Sequence, residues 1–243
     1  MTSAQHADPA QWVVVRREFF RREVLTVAPA LLGCVLAHET GDGLVAAKIT
    51  EVEAYRGESD PASHAFRGQT ARNAVMFGEP GHAYVYFTYG MHFCVNLVCQ
   101  PTGAAAAVLL RAGRVVDGTD LAAARRMADG GAGVPGRGAK AAAERDLARG
   151  PARLCQALGI GRAQNGADVC DPAGRLRVLA PAGFAGPPAA TVRSGPRVGV
   201  RLGADVDWRF WADGDPTVSA YRPYVPKGRP ADGGAEGSAP KPM

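Results

Sequence analysis

The run from Leu44 to Tyr55, LVAAKITEVEAY, restricts the fold most, because small apolar and β-branched residues recur along it as they do in a long strand. Thr40-Gly41-Asp42-Gly43 ahead of it is a tight-turn signal, and Cys34 to Glu39 reads as the strand that enters that turn. Side chains alternate along a strand, so Val45, Ala47 and Ile49 should share one face, with Glu51 and Glu53 continuing the same row. A carboxylate at the end of an apolar row is partly desolvated, which favours its protonated form. The opposite row carries Lys48 and Thr50 but also Ala46 and Val52, so the alternation is moderate.

The rest of the chain adds strands and helices in no regular alternation. Tyr84 to Val98 reads as two strands meeting at Tyr89-Gly90, a β-hairpin with an aromatic residue at its tip. Such a residue is unusual at a tip unless it contacts something. Ala104 to Arg111 reads as a further strand. Helices are predicted over Arg16–Glu23, anchored by Phe19 and Phe20, over Val27–Gly33, over Asp117–Met127, from Ala141 to Leu147, and after Gly150-Pro151, where proline suits a first turn. Beyond Gln164 short strands and turns follow. These elements predict an α+β fold. We expect a single compact domain over residues 11–224, a curved and mostly antiparallel sheet with a protruding hairpin and surrounding helices. Residues 1–10 and 225–243 are expected to be disordered, and the Gly-rich segment 128–139 to be a flexible loop.

Composition bounds the partners. The 243-residue chain has a net charge of +5, carried almost wholly by arginine, since lysine occurs only at 48, 140, 227 and 241. Arginine's planar fork matches phosphate oxygens, although genome base composition accounts for the same bias equally well. The five cysteines have no metal-ligand spacing and read as buried thiols. No N-terminal apolar h-region or membrane-length apolar run occurs, which points to a soluble, cytoplasmic protein. G-x-G-x-x-G, Walker A, H-E-x-x-H and G-x-S-x-G are all missing, so dinucleotide, NTP-loop, zincin and hydrolase-elbow readings lose their main support.

Between Glu51 and Asn96 the sequence concentrates chemistry: EVEAYRG, SHAFRGQTARNAVMF and PGHAYVYFTYGMHFCVN. Aromatic faces, a carboxylate base and arginines suit a site that grips a flat, electron-poor ring beside a polyanion. On these strings, with AVLLR (107–111), GPARLCQALGI (150–160) and PRVGV (196–200), the chain resembles the alkyladenine (3-methyladenine) DNA glycosylase family, in the family's order and over roughly residues 18 to 222. The resemblance implies a monofunctional enzyme that flips alkylated purines out of double-stranded DNA and hydrolyses the N-glycosidic bond, with 3-methyladenine, 7-methylguanine and hypoxanthine as candidate bases. It implies no cofactor, no metal and a monomer, and leaves an abasic site for base-excision repair.

Residue by residue, the resemblance makes Glu53 the base that activates water, with Arg111 beside it. A strand-end Glu paired with an arginine is the bland alternative, and Glu51 is read in that way. Tyr55, His64 and Tyr86 would hold the flipped base, although core packing would explain any one of them alone. Asn96 would crowd guanine's amino group from the pocket floor, or simply bond a neighbouring backbone. Tyr89 would wedge into the gap left in the duplex, flanked by Met91 and His92. Thr70, Arg72 and Asn73 would contact phosphates, or else form a capped helix start. Lys48 is read on the strand face opposite Glu53, which argues against strand cleavage through a lysine Schiff base. A non-catalytic module that binds damaged DNA and a hydrolase of free nucleosides are the rival readings.

Overall fold

The structure is a computed structural model and describes residues 12–88, 90–129 and 143–226. The expectations for Tyr89, for residues 1–10, for most of the 128–139 segment and for nearly all of the tail lie outside the described residues. Among the described residues nine strands form one sheet, and every pairing in it is antiparallel. They are β1 (Trp12–Val14), β2 (Val35–Thr40), β3 (Gly43–Arg56), β4 (Ala83–Thr88), β5 (His92–Cys99), β6 (Ala106–Asp117), β7 (Leu176–Pro181), β8 (Val192–Gly195) and β9 (Arg209–Ala212). The order is β1-β7-β2-β3-β6-β5-β4, with β9 pairing both β3 and β8. Together with the helices below this is an α+β fold, as expected.

The helices are α1 (Arg17–Phe20), α2 (Val24–Ala30), α3 (Thr119–Asp129) and α4 (Pro151–Leu158). α1 is only half the expected run, and α2 starts three residues before Val27 because the Glu23 carboxylate caps it by accepting from Leu25 N at 2.6 Å. Glutamate is a poor predictor of a helix start, so that boundary was hidden. α4 has Pro151 in its first turn and ends on Gly159 in the left-handed region (φ 67°). Helix residues such as Val24, Val27, Ala28, Ala122, Leu154 and Leu158 share one buried cluster with Val45, Ala47, Ile49, Val85, Val95, Leu97, Val108 and Leu110 of the strands. The helices therefore cover one face of the sheet.

The row expected along β3 does not hold to its end. Val45, Ala47 and Ile49 face the helices, but beyond them Val52 and Ala54 do so, and Glu51 and Glu53 point to the other face. The cause is a pair of bulges. Ile49 pairs with Gly113 and Glu51 with Ala112, so Thr50 is an extra residue on β3; Val52 then pairs with Leu110, so Arg111 is an extra residue on β6. Each bulge steps one strand by one position and redirects the following side chains. Thr50 is held there by a 2.7 Å hydroxyl–hydroxyl bond to Thr217. The same step corrects the reading of Lys48, whose row is the one that Glu53 joins beyond the bulge.

Candidate active site

The sheet face turned away from the helices carries the chemistry. Glu53 and Tyr55 come from β3, Arg111 from the β6 bulge, Tyr84, Tyr86 and Thr88 from β4, and His92, Cys94 and Asn96 from β5. All of these except Tyr84 and Asn96 line a cleft of about 490 Å³ walled by Pro61, Ala62 and the loop from Val198 to Leu202. A deeper recess of about 60 Å³ opens beside it, bounded by Tyr55, His64, Met76, Tyr84, Tyr86 and Asn96. The cleft is within the usual size of a small-molecule site, about 300–1,000 Å³.

Glu53 is fully buried, yet it lines the cleft. Its Oε1 accepts from the Val198 backbone N–H at 2.7 Å and faces Arg111 Nη1 at 3.2 Å. Its Oε2 accepts from the Tyr55 hydroxyl at 2.9 Å. A carboxylate oxygen has two lone pairs, so Oε2 keeps one acceptor position beyond Tyr55. Burial, and next the charge of Glu53, raise the Tyr55 pKa well above its ordinary value, so Tyr55 stays a donor. Arg111 also has its pKa raised: burial opposes its charge, and the Glu53 and Glu51 carboxylates outweigh that opposition.

Glu51 points the same way but does not reach the cleft. Its Oε1 accepts from Arg111 Nε (2.8 Å), Arg209 Nε (2.8 Å) and Ser219 Oγ (2.9 Å), and its Oε2 from Ser219 N (2.6 Å). The structural reading of Glu51 thus matches the geometry, and Arg111 is at once a partner of Glu51 and a neighbour of Glu53.

The recess is aromatic. The Tyr86 ring stacks on Tyr84 (centroids 5.6 Å) and meets His64 edge-on at 4.5 Å. His64 Nδ1 lies 3.1 Å from the Tyr84 hydroxyl. His64 sits at the exposed rim, but the groups crowding its ring, and next the Arg72 guanidinium, lower its pKa and favour the neutral imidazole. Asn96 is buried at the recess and donates Nδ2–H to the Tyr84 carbonyl across the hairpin at 3.1 Å. One amide hydrogen thus serves the backbone, as the bland reading had it, while the residue still borders the recess.

The outlying residues divide. Met91 is 68% exposed beyond β4, and His92 lines the cleft with a buried Nδ1 that has no hydrogen-bond partner among the described residues. Thr70 and Arg72 are exposed, and Arg72 lies over the Tyr86 ring at 5.8 Å. Asn73 is buried, and its amide is spent inside the loop: Nδ2 donates to the His64 and Gly68 carbonyls, and Oδ1 accepts from Thr70 N and Oγ1. Its side chain staples the loop that carries His64 and is not presented to a phosphate, a correction that a lone Asn in sequence could not reveal.

The profile of the methylpurine-DNA glycosylase family matches residues 18–216. A protein of Streptomyces avermitilis is 54% identical over 88% of this chain and 94% of its own length, and one of Leifsonia xyli is 52% identical over 85% and 92%. One of Burkholderia orbicola is 44% identical over 93% of this chain and 100% of its own. All three carry a provisional name as 3-methyladenine DNA glycosylases.

The chain belongs to the methylpurine-DNA glycosylase family.

It is therefore a DNA glycosylase, a hydrolase of N-glycosidic bonds. Several residues that build the glycosylase's site escaped the sequence reading. Tyr84 backs Tyr86, and Arg209 and Ser219 complete the shell of Glu51. Arg197 and Asp60 form a bidentate buried pair at 2.6 and 2.9 Å. Arg197 also lies over Tyr55 and Trp208 and donates to the Ala54 and Gly203 carbonyls, which sets the backbone from which Val198 reaches Glu53. Arg197, Arg209 and Ser219 lie more than a hundred residues from Glu53, a separation that carries no local signal beyond the string PRVGV around Arg197.

Proposed function

We propose that this glycosylase excises alkylated purines from double-stranded DNA by turning the damaged nucleotide into the cleft. The observation that carries the reading is Glu53: a buried carboxylate in an aromatic-lined cleft, held by two hydrogen-bond donors and paired with Arg111, yet with an acceptor position left on Oε2. In the proposed step a water placed at Oε2 attacks C1′ of the sugar. The C1′–N bond breaks, its electron pair leaves with the base, and the water's proton passes to Glu53. A base already methylated on the ring leaves as a neutral species. The carboxylate also stabilises the positive charge that builds on the sugar. Tyr55, His64 and Tyr86 supply faces that favour a cationic purine over a neutral one. Extrusion costs least for damaged or mispaired bases, which adds selectivity.

Strand cleavage is not part of the proposal. Lys48 shares the row of Glu53 but stands five positions away on the same strand, roughly 16 Å at the usual strand rise, and is exposed. The test is excision of 7-methylguanine and hypoxanthine from duplex oligonucleotides. Wild type should release free base and leave a site that nicks only on alkali treatment. Glu53→Gln should lose excision by about 10²–10⁴-fold while retaining lesion binding. Tight lesion binding by wild type without base release would instead favour a non-catalytic binding module.

A further inference from the structure

We propose that Glu51 and Ser219 are positioning residues for excision: they hold one side of Arg111 so that its other side faces Glu53 at a fixed distance, and Glu51 offsets the charge that Glu53 feels. The inference rests on Glu53 acting as the base. Arg111 stands on a bulge, and three of its nitrogens have separate destinations. Nε goes to Glu51 Oε1 at 2.8 Å, Nη2 to Ser219 Oγ at 3.4 Å, and Nη1 to Glu53 Oε1 at 3.2 Å. The longest charge contact of Arg111 is thus the one to Glu53. Glu51 receives four donors, more than a merely neutralising partner requires, and two of them come from Ser219.

Ser219 belongs to a strap that is itself fastened down. Thr217 Oγ1 bonds Thr50 at the bulge, the Val218 carbonyl accepts from Arg149, and the Ser219 carbonyl accepts from Arg209. The strap cannot shift without moving Glu51, and Glu51 cannot shift without releasing Arg111. The charges facing this cluster are Glu51 from β3, Arg111 from β6 and Arg209 from β9, with Arg197 behind Tyr55. The neutral titratable neighbours are Tyr55, Tyr86 and Cys94, and His64, His92 and Arg201 line the same cleft. With Glu51 present, two carboxylates balance Arg111 and Arg209. Without its charge, Arg111 faces Glu53 with no second carboxylate to offset it.

The experiment is the pH profile of single-turnover excision on duplex DNA carrying 7-methylguanine, a base that is already cationic, so that leaving-group protonation does not enter. In Glu51→Gln the acid limb should move to lower pH by about one unit and the plateau rate should fall about tenfold, with lesion-DNA affinity unchanged. Ser219→Ala keeps every charge, so it should lower the plateau about threefold without moving the limb, and Ser219→Thr should restore it. An unmoved limb in folded Glu51→Gln would overturn the proposal. If Glu51→Gln does not fold, the serine pair decides: a wild-type plateau in Ser219→Ala, or failure of threonine to rescue it, overturns the proposal. Absence of excision by wild type itself would instead remove the role of Glu53 as base.

Discussion

At the scale of single residues, the site depends on which lone pairs and protons are already committed. Glu53 Oε2 is shared between Tyr55 and the cleft, so the Tyr55 hydroxyl fixes the direction in which the remaining acceptor position points. Tyr55→Phe removes that donor and keeps the ring. Excision should fall about tenfold while lesion affinity holds, because the face for the base survives. A loss of affinity equal to the loss of rate would show that the hydroxyl serves the base instead. Arg72 and Asn73 are neighbours in sequence with different fates. Arg72 is exposed, so Arg72→Ala should weaken duplex binding uniformly and reduce the slope of log K against log salt by about one. Asn73→Ala leaves two carbonyls without a donor, so it should lower thermal stability without changing that slope.

At the scale of elements, the double bulge between β3 and β6 decides which face receives the acid–base groups. Gly57, immediately after β3, shows how closely the chain is then fitted. Its φ is +63°, and a Cβ there would sit 2.3 Å from the Ala104 carbonyl oxygen, which belongs to the backbone and cannot swing aside. Gly57→Ala should therefore cost several kcal/mol, beyond the roughly 1 kcal/mol of an unfavourable φ alone, and denaturant titration would report it as a lowered midpoint. The loop carrying Val198 depends in the same way on the buried Asp60–Arg197 pair, whose side chains are both fully buried. Removing one partner strands the other charge, so Asp60→Ala should destabilise by about 3–5 kcal/mol. Retention of wild-type stability would mean that solvent reaches Arg197.

For the molecule as a whole, the sheet separates two environments. One face carries an apolar core under the helices, and the other carries a polar and aromatic cleft. Buried histidine links this architecture to pH. His38 is 3% exposed, with Nδ1–H donating to the Leu158 carbonyl at 2.8 Å. Burial lowers its pKa below the ordinary 6.5, partly opposed by that hydrogen bond, with Arg125 and Arg175 reinforcing the lowering. The folded chain therefore binds this proton more weakly than the unfolded chain does. The contribution to stability is complete above about pH 6.5 and is lost as pH falls towards and through the folded value. His64, lowered for similar reasons, acts in the same direction. Denaturant unfolding at pH 7 and pH 5 should show a loss at the lower pH that His38→Gln reduces; an unchanged slope would place the sensitivity elsewhere.

What the sequence determined was local in character. Strand runs, the Thr40–Gly43 turn, the hairpin and the Pro151 helix start follow from period, turn chemistry and capping, all of which act within a few residues. The chemical identities of Glu53, Tyr55, His64 and Tyr86 were likewise legible, because their motif strings are compact. Tertiary structure decided the face on which the glutamates lie. An ideal period of two assigns Glu53 to the row of Ile49, and only the long-range pairing of β3 with β6 makes Thr50 and Arg111 extra residues and exchanges the rows. It also decided the partners, since Val198, Arg209 and Ser219 approach the glutamates from far along the chain. A buried charge must be matched by donors wherever the fold brings them, and that requirement leaves its mark on the packed molecule rather than on any short stretch of sequence.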